Sequence, residues 1–213
     1  TQDQHEGGED DLQASDSTRS MQRWTPRAAM STSAFWSLSL GHALSVATVS
    51  AVLAHLVVYP SREHGFEVGS ASRFFIVLSV ASIVGQLAGG WLGDRVRRTR
   101  LAAGATALHA TALLMLATAA GSSFLGVAIA LHGFAWGVRG PLMGALRADF
   151  FGAESFSTVM GWSSVIVMAG ALLGPVLLGV SADAASYRAG LVGLACAAAI
   201  GATLFFVSRA PRT

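Results

Sequence analysis

Six long apolar runs, separated by short polar links, occupy most of the chain from residue 34 to residue 207. Each run is long enough for a helix to cross about 30 Å of hydrocarbon, where a helix satisfies its own backbone hydrogen bonds. Short links place successive helices antiparallel. The pattern therefore predicts an all-α membrane protein whose six transmembrane helices form one bundle, at residues 34–59, 70–92, 101–120, 124–146, 156–180 and 188–207.

Two polar segments flank the predicted bundle of residues 34–208. Residues 1–33 begin acidic, continue with arginines and lack a sustained apolar period, which is typical of a tail that is disordered at its start. Pro26 suits the first turn of a helix, so a short interfacial helix is expected there. We interpret residues 1–33 as a polar cytoplasmic tail and residues 209–213 as a cytoplasmic C-terminus.

The composition excludes an ordinary soluble protein. Only 12% of the residues are charged and 53% are hydrophobic, whereas a soluble domain carries about 25% charged residues. The single cysteine, Cys196, excludes an intrachain disulfide and a cysteine-based metal site. No cofactor and no metal are implied by any pattern in the chain.

The basic residues, all of them arginine, indicate the orientation of the bundle. If the N-terminus is cytoplasmic, ten arginines lie in cytoplasmic segments and three in outside segments, with Arg139 inside the membrane. Cytoplasmic loops of membrane proteins are enriched in basic residues. The bias predicts that both termini are cytoplasmic, and it explains the net charge of +2 without a nucleic-acid partner. We expect the membrane to be an inner or plasma membrane of the bacterial type.

Glycines recur at four-residue spacing in three of the predicted helices. Such small residues let helix backbones approach closely in lipid, so these faces are predicted to be packing surfaces. The alternative is that smooth glycine faces let helices slide or rock. The glycines concerned are Gly85, Gly89, Gly93, Gly133, Gly137, Gly140, Gly144, Gly170 and Gly174.

The link between the second and third helices begins with Gly90 and reads G-W-L-G-D-R-V-R-R-T-R. Asp94 would gain from lying beside a helix N-terminus, such as that of the fifth helix. Arg95 could pair with Asp149 or Glu154 on the next cytoplasmic link. With Arg98 among the trailing basic residues, these groups would form a latch that holds one conformation. The alternative is that Asp94 caps a turn and the arginines only set the topology.

This link resembles the signature loop of the major facilitator superfamily, G-x-x-x-D-R-x-G-R-R. Gly90, Asp94 and Arg95 match it, while Arg97 stands where the pattern has glycine. The resemblance implies secondary transport by alternating access, and no enzyme activity. It also implies that the chain is one six-helix half of a longer transporter. The altered loop, the tail and the chain ending favour the C-terminal half, with a missing N-terminal six-helix half as its partner.

Further segments look like the branch of the monocarboxylate transporters and oxalate:formate antiporters. Residues 147–152 read R-A-D-F-F-G, similar to the R-x-D-Y-F-G form of that branch, and residues 55–60 look like part of its seventh helix. This resemblance implies a small organic anion as the substrate. Against the assignment to a C-terminal half, Gly170, Gly174 and Pro175 also resemble a motif of first halves.

Arg139 is the strongest candidate for binding a substrate. An arginine near the middle of a membrane helix costs at least about 2.5 kcal/mol, so it should face a cavity or a partner. His132, Trp136, Arg139 and Met143 share one helix face, and a guanidinium fork fits a carboxylate. The alternative is that Arg139 extends toward the cytoplasm or bonds backbone carbonyls near Pro141.

Polar residues in the other helices offer weaker candidates. His55 and Gln86 are predicted to line the substrate cavity, although a histidine at His42, His55 or His109 could equally be a hydrogen-bonded packing residue. His42 and His55 point about 140° apart on their helix, so they cannot share a ligand. The helix interiors contain no carboxylate. Proton coupling would thus need the missing half or a histidine, or it would be absent.

Parts of the sequence are also compatible with other functions. An intramembrane protease would need a nucleophile or metal motif, and neither G-x-S-x-G nor H-E-x-x-H occurs in the chain. A membrane scaffold or sensor without transport would fit the glycine faces but gives Arg139 no role. A transporter of a neutral solute would fit the bundle but not the buried arginine.

Overall fold

The computed structural model describes residues 24–119 and 121–211. Six long helices dominate this part of the chain: α1 Ser33–His55, α2 Arg73–Gly93, α3 Arg98–Ala117, α4 Ser122–Phe151, α5 Phe156–Ala184 and α6 Tyr187–Val207. Short helices at Val58–His64 and Val68–Ala71 join α1 to α2, and a 3-10 turn at Ala153–Ser155 joins α4 to α5. The predicted all-α fold with six long helices is confirmed.

Five segments within the described ranges are long and apolar enough to cross a membrane, and they contain α1, α2, α3, α5 and α6. The exception is α4, which has 30 residues but includes His132, Arg139 and Arg147. Those polar residues reduce its apolar character, although the helix is long enough to span. Helix α4 therefore differs from the other five long helices in carrying several basic side chains along its length.

The short helix expected near Pro26 forms at Pro26–Met30. Thr25 caps it, since its hydroxyl accepts a hydrogen bond from the Ala28 amide at 3.2 Å. Trp24 anchors the segment: its amide donates to the Ser155 hydroxyl at 2.7 Å and its ring packs edge-on against Phe151. This part of the predicted tail is therefore fixed to the link between α4 and α5. Residues 1–23 lie outside the described residues.

Successive long helices run antiparallel and give the bundle two faces. We call the face where α1, α3 and α5 begin the terminal face, and the other the distal face. The main contacts join α1 to α5, α2 to α4 and α3 to α6, with further contacts of α3 to α4 and α1 to α6. The pairing relates helices one to three with helices four to six, the pattern expected of an inverted repeat.

Glycines make two of these pairings possible. A Cβ atom on Gly137 would overlap the Ser82 carbonyl oxygen of α2, and one on Gly174 would overlap the Ala47 carbonyl oxygen of α1. Gly85, Gly89, Gly133 and Gly170 have equally close backbone neighbours on the partner helix. The glycine faces of these helices are packing surfaces. Gly140, by contrast, has no neighbouring atom within 4 Å of such a Cβ.

The outward faces of α2 and α5 remain uncovered. Large apolar side chains there are more than half exposed, including Leu87 on α2 and Leu172 on α5 at about 70%. The inward faces pack into two apolar cores, one nearer the distal face around Leu113 and Ile129, the other nearer the terminal face around Phe35 and Leu146. The two uncovered helices are those that pair with α4 and α1.

Candidate functional site

A column of three basic side chains runs along the buried face of α4. His132, Arg139 and Arg147 are 0%, 2% and 1% exposed. They follow each other at about two-turn spacing, so the column is about 22 Å long. The sequence pattern placed Arg147 in a cytoplasmic link, whereas α4 continues to Phe151 and carries Arg147 inside the bundle. That placement of Arg147 was wrong.

Arg147 ties three helices together through hydrogen bonds. Its Nη1 donates to the Met143 carbonyl at 2.8 Å, and its Nε and Nη2 donate to the Ser163 hydroxyl of α5. Nη2 also lies 3.2 Å from His42 Nδ1 of α1. Arginine only donates, so His42 accepts at Nδ1 and carries its hydrogen on Nε2. Ser39 completes the group by donating to Ser163 at 2.9 Å.

Arg139 lacks such support. Its Nε is buried and has no hydrogen-bond partner among the described residues. All six acidic residues in the described part of the chain are exposed and lie outside the helix interiors: Glu63, Glu67, Asp94, Asp149, Glu154 and Asp183. Neither buried arginine therefore has a carboxylate of this bundle against it. Since an uncompensated buried charge is costly, the arrangement suits an anion supplied from elsewhere.

His132 pairs with a histidine from the neighbouring helix. His109 of α3 and His132 are both fully buried, and their Nδ1 atoms are 3.2 Å apart. The Nε2 atom of each ring is also buried, with no partner among the described residues. Within the same residues, no group of three His, Cys, Asp or Glu side chains is placed to hold a metal ion.

The other residues that were predicted to line the cavity, Trp136, Gln86 and His55, make no hydrogen bond with the histidine pair that the structure records. Trp136 is partly buried and packs against the distal apolar core, and Gln86 is exposed on α2. His55 lies at the distal end of α1, about 20 Å along the helix from His42. There it bonds Tyr187 Oη at 3.0 Å and the Pro175 carbonyl at 3.2 Å. The structure therefore places His55 in a separate distal network.

The distal face is held by polar groups of its own. Arg62 pairs with Asp183 at 2.9 Å, and this contact raises the pKa of the Arg62 guanidinium. Tyr59 donates to the Leu116 carbonyl at 2.5 Å. Burial, with a smaller contribution from Glu63, raises the pKa of Tyr59 to about 12, so its phenol stays protonated as a donor at neutral pH.

The signature loop uses a different arginine from the one expected. Arg98, rather than Arg95, contacts Asp149: its Nη1 lies 2.9 and 3.0 Å from the two carboxylate oxygens. Asp94 lies 3.5 Å from Arg98 Nη2 at the exposed end of α2. Arg95 stacks over the Trp91 ring at 4.1 Å and donates to the Trp91 carbonyl. The Arg95 pairing with Asp149 or Glu154 does not form in this structure.

The expected approach of Asp94 to the start of α5 does not form within the bundle either. Helix α2 packs on α4, while α5 packs on α1, so the two helices have different partners. Glu154 is exposed in the turn before α5 and takes part in no ion pair among the described residues. Gly90 is exposed near the end of α2, and a Cβ there would meet open space.

Three functional candidates were missed by the sequence analysis. Arg147 was assigned to topology, although its eight-residue spacing from Arg139 places both on nearly the same face of α4. His42 and Ser163 come from α1 and α5, and no spacing within one helix could indicate that they meet Arg147. The same holds for the contact of His109 with His132.

Comparison with known proteins agrees with this architecture. The family model described as Major Facilitator Superfamily matches residues 19–213. The chain is 29% identical over 151 residues to the benzoate transport protein of Acinetobacter baylyi, covering 71% of this chain and 32% of that protein. It is also 29% identical over 115 residues to the gentisate transporter of Corynebacterium glutamicum, covering 54% of this chain and 26% of that protein.

A solved structure shares the fold. The crystal structure of the E. coli fucose:proton symporter aligns with a TM-score of 0.72 and 18% identity, covering 86% of this chain and 45% of that chain. The chain thus spans less than half the length of each of these relatives. The relatives above are not described as monocarboxylate or oxalate:formate carriers, so that branch stays a prediction.

Proposed function

Because the chain belongs to the Major Facilitator Superfamily, we propose that it forms one six-helix half of a secondary transporter that carries a small organic anion by alternating access. It is an integral membrane protein. The observation that supports the anion is Arg139, a buried cation with no carboxylate of its own bundle against it. A carboxylate of the substrate would supply the missing charge and accept bonds from the guanidinium fork.

The substrate class we propose is an aromatic carboxylate. Benzoate and gentisate, named in the two curated relatives, both combine a carboxylate with an aromatic ring. Helix α4 carries both matching groups: the buried Arg139 for the carboxylate and, three residues earlier, the partly buried Trp136 for the ring. Small aliphatic monocarboxylates share the carboxylate but not the ring, so they are the natural comparison.

The partner we propose is a second six-helix bundle, the N-terminal half of the same polypeptide, which covers α2 and α5. Those helices carry most of the large exposed apolar side chains of the described residues, and the curated relatives are more than twice as long as the parts they share with this chain. Transporters of inverted-repeat design hold the substrate near the midplane between such units. Both termini would be cytoplasmic, because most arginines lie at the terminal face.

An uptake assay with the complete gene product tests this proposal. Benzoate and gentisate are compared with lactate and formate as aliphatic acids, and with fucose as a neutral solute. We expect saturable uptake of the aromatic acids, at least about tenfold above that of fucose. Uptake restricted to neutral or cationic solutes would overturn the anion assignment. Absence of any transport, with the protein folded in the membrane, would favour a scaffold or sensor.

We further propose that Arg98, Asp149 and Asp94 form the conformational latch. Replacing Arg98 with Gln removes both carboxylate contacts at once. The pair is partly exposed, so the loss of stability should stay below about 1 kcal/mol. The maximal uptake rate should still fall several-fold, with about the same KM, because one conformation loses its tether.

Arg100→Gln is the matched control for the latch. It removes the same charge two residues later on α3, at an exposed position that makes no ion pair among the described residues. Both variants are compared by initial uptake rates and by thermal unfolding of the purified protein. Equal rates in the two variants would show that Arg98 has no role beyond topology.

A further inference from the structure

The contact of His109 with His132 restricts where hydrogens can lie on the two rings. The Nδ1 atoms are 3.2 Å apart and the ring centroids 4.4 Å apart. A neutral imidazole carries one N–H, so one ring donates at Nδ1 and the other accepts. The donating ring then has a bare Nε2, and the accepting ring has an Nε2–H. The pair therefore presents one acceptor and one donor at its outer ends.

Both outer nitrogens are buried without a partner among the described residues. Buried polar groups are nearly always hydrogen-bonded, so two such atoms on touching rings need an explanation. The Nε2 atom without a hydrogen can accept one proton. A proton added there leaves the Nδ1–H···Nδ1 bond intact and turns both outer nitrogens into donors, so the pair can hold one extra proton without losing its internal contact.

The surroundings of the pair are basic. On α4, Arg139 lies seven residues from His132, about 10 Å along the helix, and Arg147 lies beyond it. Helix α1 contributes His42 near Arg147. Between its terminal residues, α2 contains no ionisable side chain, and α5 contains only Asp183 at its distal end. Between its own terminal residues, helix α6 contains only the exposed Arg188 at its distal end and the exposed Cys196.

No carboxylate of the described helices therefore faces the pair. A protonated pair would place a second positive charge beside Arg139 in a low-dielectric space. An anion bound to Arg139 offsets that repulsion, and protonation of the histidine pair then becomes more favourable. By reciprocity, the proton strengthens the binding of the anion by the same factor.

We infer that the His109–His132 pair is the site of the coupling proton, which it accepts when a carboxylate binds at Arg139 and releases when the carboxylate leaves. The inference rests on the proposed transport of an organic anion. The proton comes from water and binds the Nε2 lone pair, so no other bond forms or breaks. One anion and one proton bind together, so the loaded bundle has the same net charge as the empty one.

Calorimetric titration of the full-length protein with benzoate, in two buffers of different ionisation enthalpy, gives the affinity and the number of protons bound together. We expect about one proton per benzoate at neutral pH, and an affinity that falls about tenfold for each unit of rising pH. His132→Gln and His109→Gln should bind less than about a third of a proton and should lose the steep pH dependence. His64→Gln, which changes a histidine of the distal face, is the control and should match the wild type.

Infrared difference spectra of the wild-type protein make the test independent of the variants. Benzoate should produce ring bands of imidazolium. The carbonyl stretch of a newly protonated carboxyl group should not appear, because the proton is assigned to histidine. If that carboxyl band appears instead, or if both Gln variants keep the full proton, the pair is not the coupling site.

The outcomes separate this inference from the proposed function. Binding and uptake of benzoate without any linked proton would overturn the His109–His132 assignment and leave the anion transporter intact. Failure of the wild-type protein to bind any aromatic carboxylate would overturn the proposed function and the inference with it. Imidazolium bands in the wild type that vanish in either Gln variant would support both the anion transporter and the His109–His132 pair as its proton site.

Discussion

Arg139→Gln is expected to lower the uptake of aromatic carboxylates by at least about 30-fold in the full-length transporter. Removing one partner of a buried charge-assisted contact costs about 2–5 kcal/mol, and each 1.4 kcal/mol is a factor of ten in affinity. The loss should appear mainly as a higher KM. Arg139→Lys keeps the charge but not the planar fork, so it should be impaired less severely. Initial rates with labelled benzoate measure both effects.

Thermal unfolding distinguishes a substrate-binding role from a structural one. Arg139 is buried, and its Nε makes no hydrogen bond among the described residues, so the empty protein gains little from the guanidinium. We expect the Tm of Arg139→Gln to be unchanged or higher in the absence of substrate, since a buried charge without a partner is destabilising. Arg188→Gln, an exposed change at the start of α6, is the control. A large fall in Tm together with an unchanged KM would contradict the assignment.

Gly137→Ala is expected to have the largest effect on folding. The added Cβ would overlap the Ser82 carbonyl oxygen and press on backbone atoms of Gly85 and Gln86. Backbone atoms cannot rotate away, so α2 must separate from α4 along their contact. Overpacking of this kind typically costs about 1–3 kcal/mol, and here the strain falls on an interface of two whole helices. The Tm and the yield of folded protein from membranes should both fall markedly.

Gly140→Ala is the internal control for this prediction. It lies three residues later on the same helix, and its Cβ would meet no atom within 4 Å. The two variants make the same chemical change, so any general effect of alanine in α4 is shared. Equal Tm values and yields for the two proteins would show that the close contact of α2 with α4 is not needed for stability.

The fold was largely predictable because its determinants are local. Apolar runs of helix-spanning length set the six helices, and the glycine spacing indicated the close contacts at Gly85, Gly89, Gly133, Gly137, Gly170 and Gly174. It was wrong for Gly140, where an added Cβ would meet no neighbouring atom within 4 Å, and Gly144 faces only the Phe156 side chain at 3.9 Å. The charge at Arg139 could be recognised because a basic residue inside an apolar run stands out. Arg147 could not, because it lies where hydropathy falls near a link, and hydropathy does not report burial.

Contacts between helices were beyond the sequence pattern. The pair of His109 and His132 depends on α3 packing beside α4, which no spacing within either helix specifies. The contact of Asp149 with Arg98, where Arg95 was predicted, has a similar cause. Arg98 begins α3 and reaches across to Asp149 at the end of α4, whereas Arg95 precedes the helix and lies back over Trp91. One residue at the boundary of a helix decides which arginine reaches the carboxylate.

The pairing of α1 with α5 and of α2 with α4 has a consequence for biosynthesis. A ribosome delivers the chain from its N-terminal side, so α1 and α2 enter the bilayer before their main partners exist. The surfaces that later receive the α4 and α5 glycines lack these partners until those helices follow. Long sequence separation between partners also slows assembly. We therefore expect insertion and folding to be separate events for this protein, and a chain interrupted before α4 to remain in the membrane as helices that lack their main packing partners.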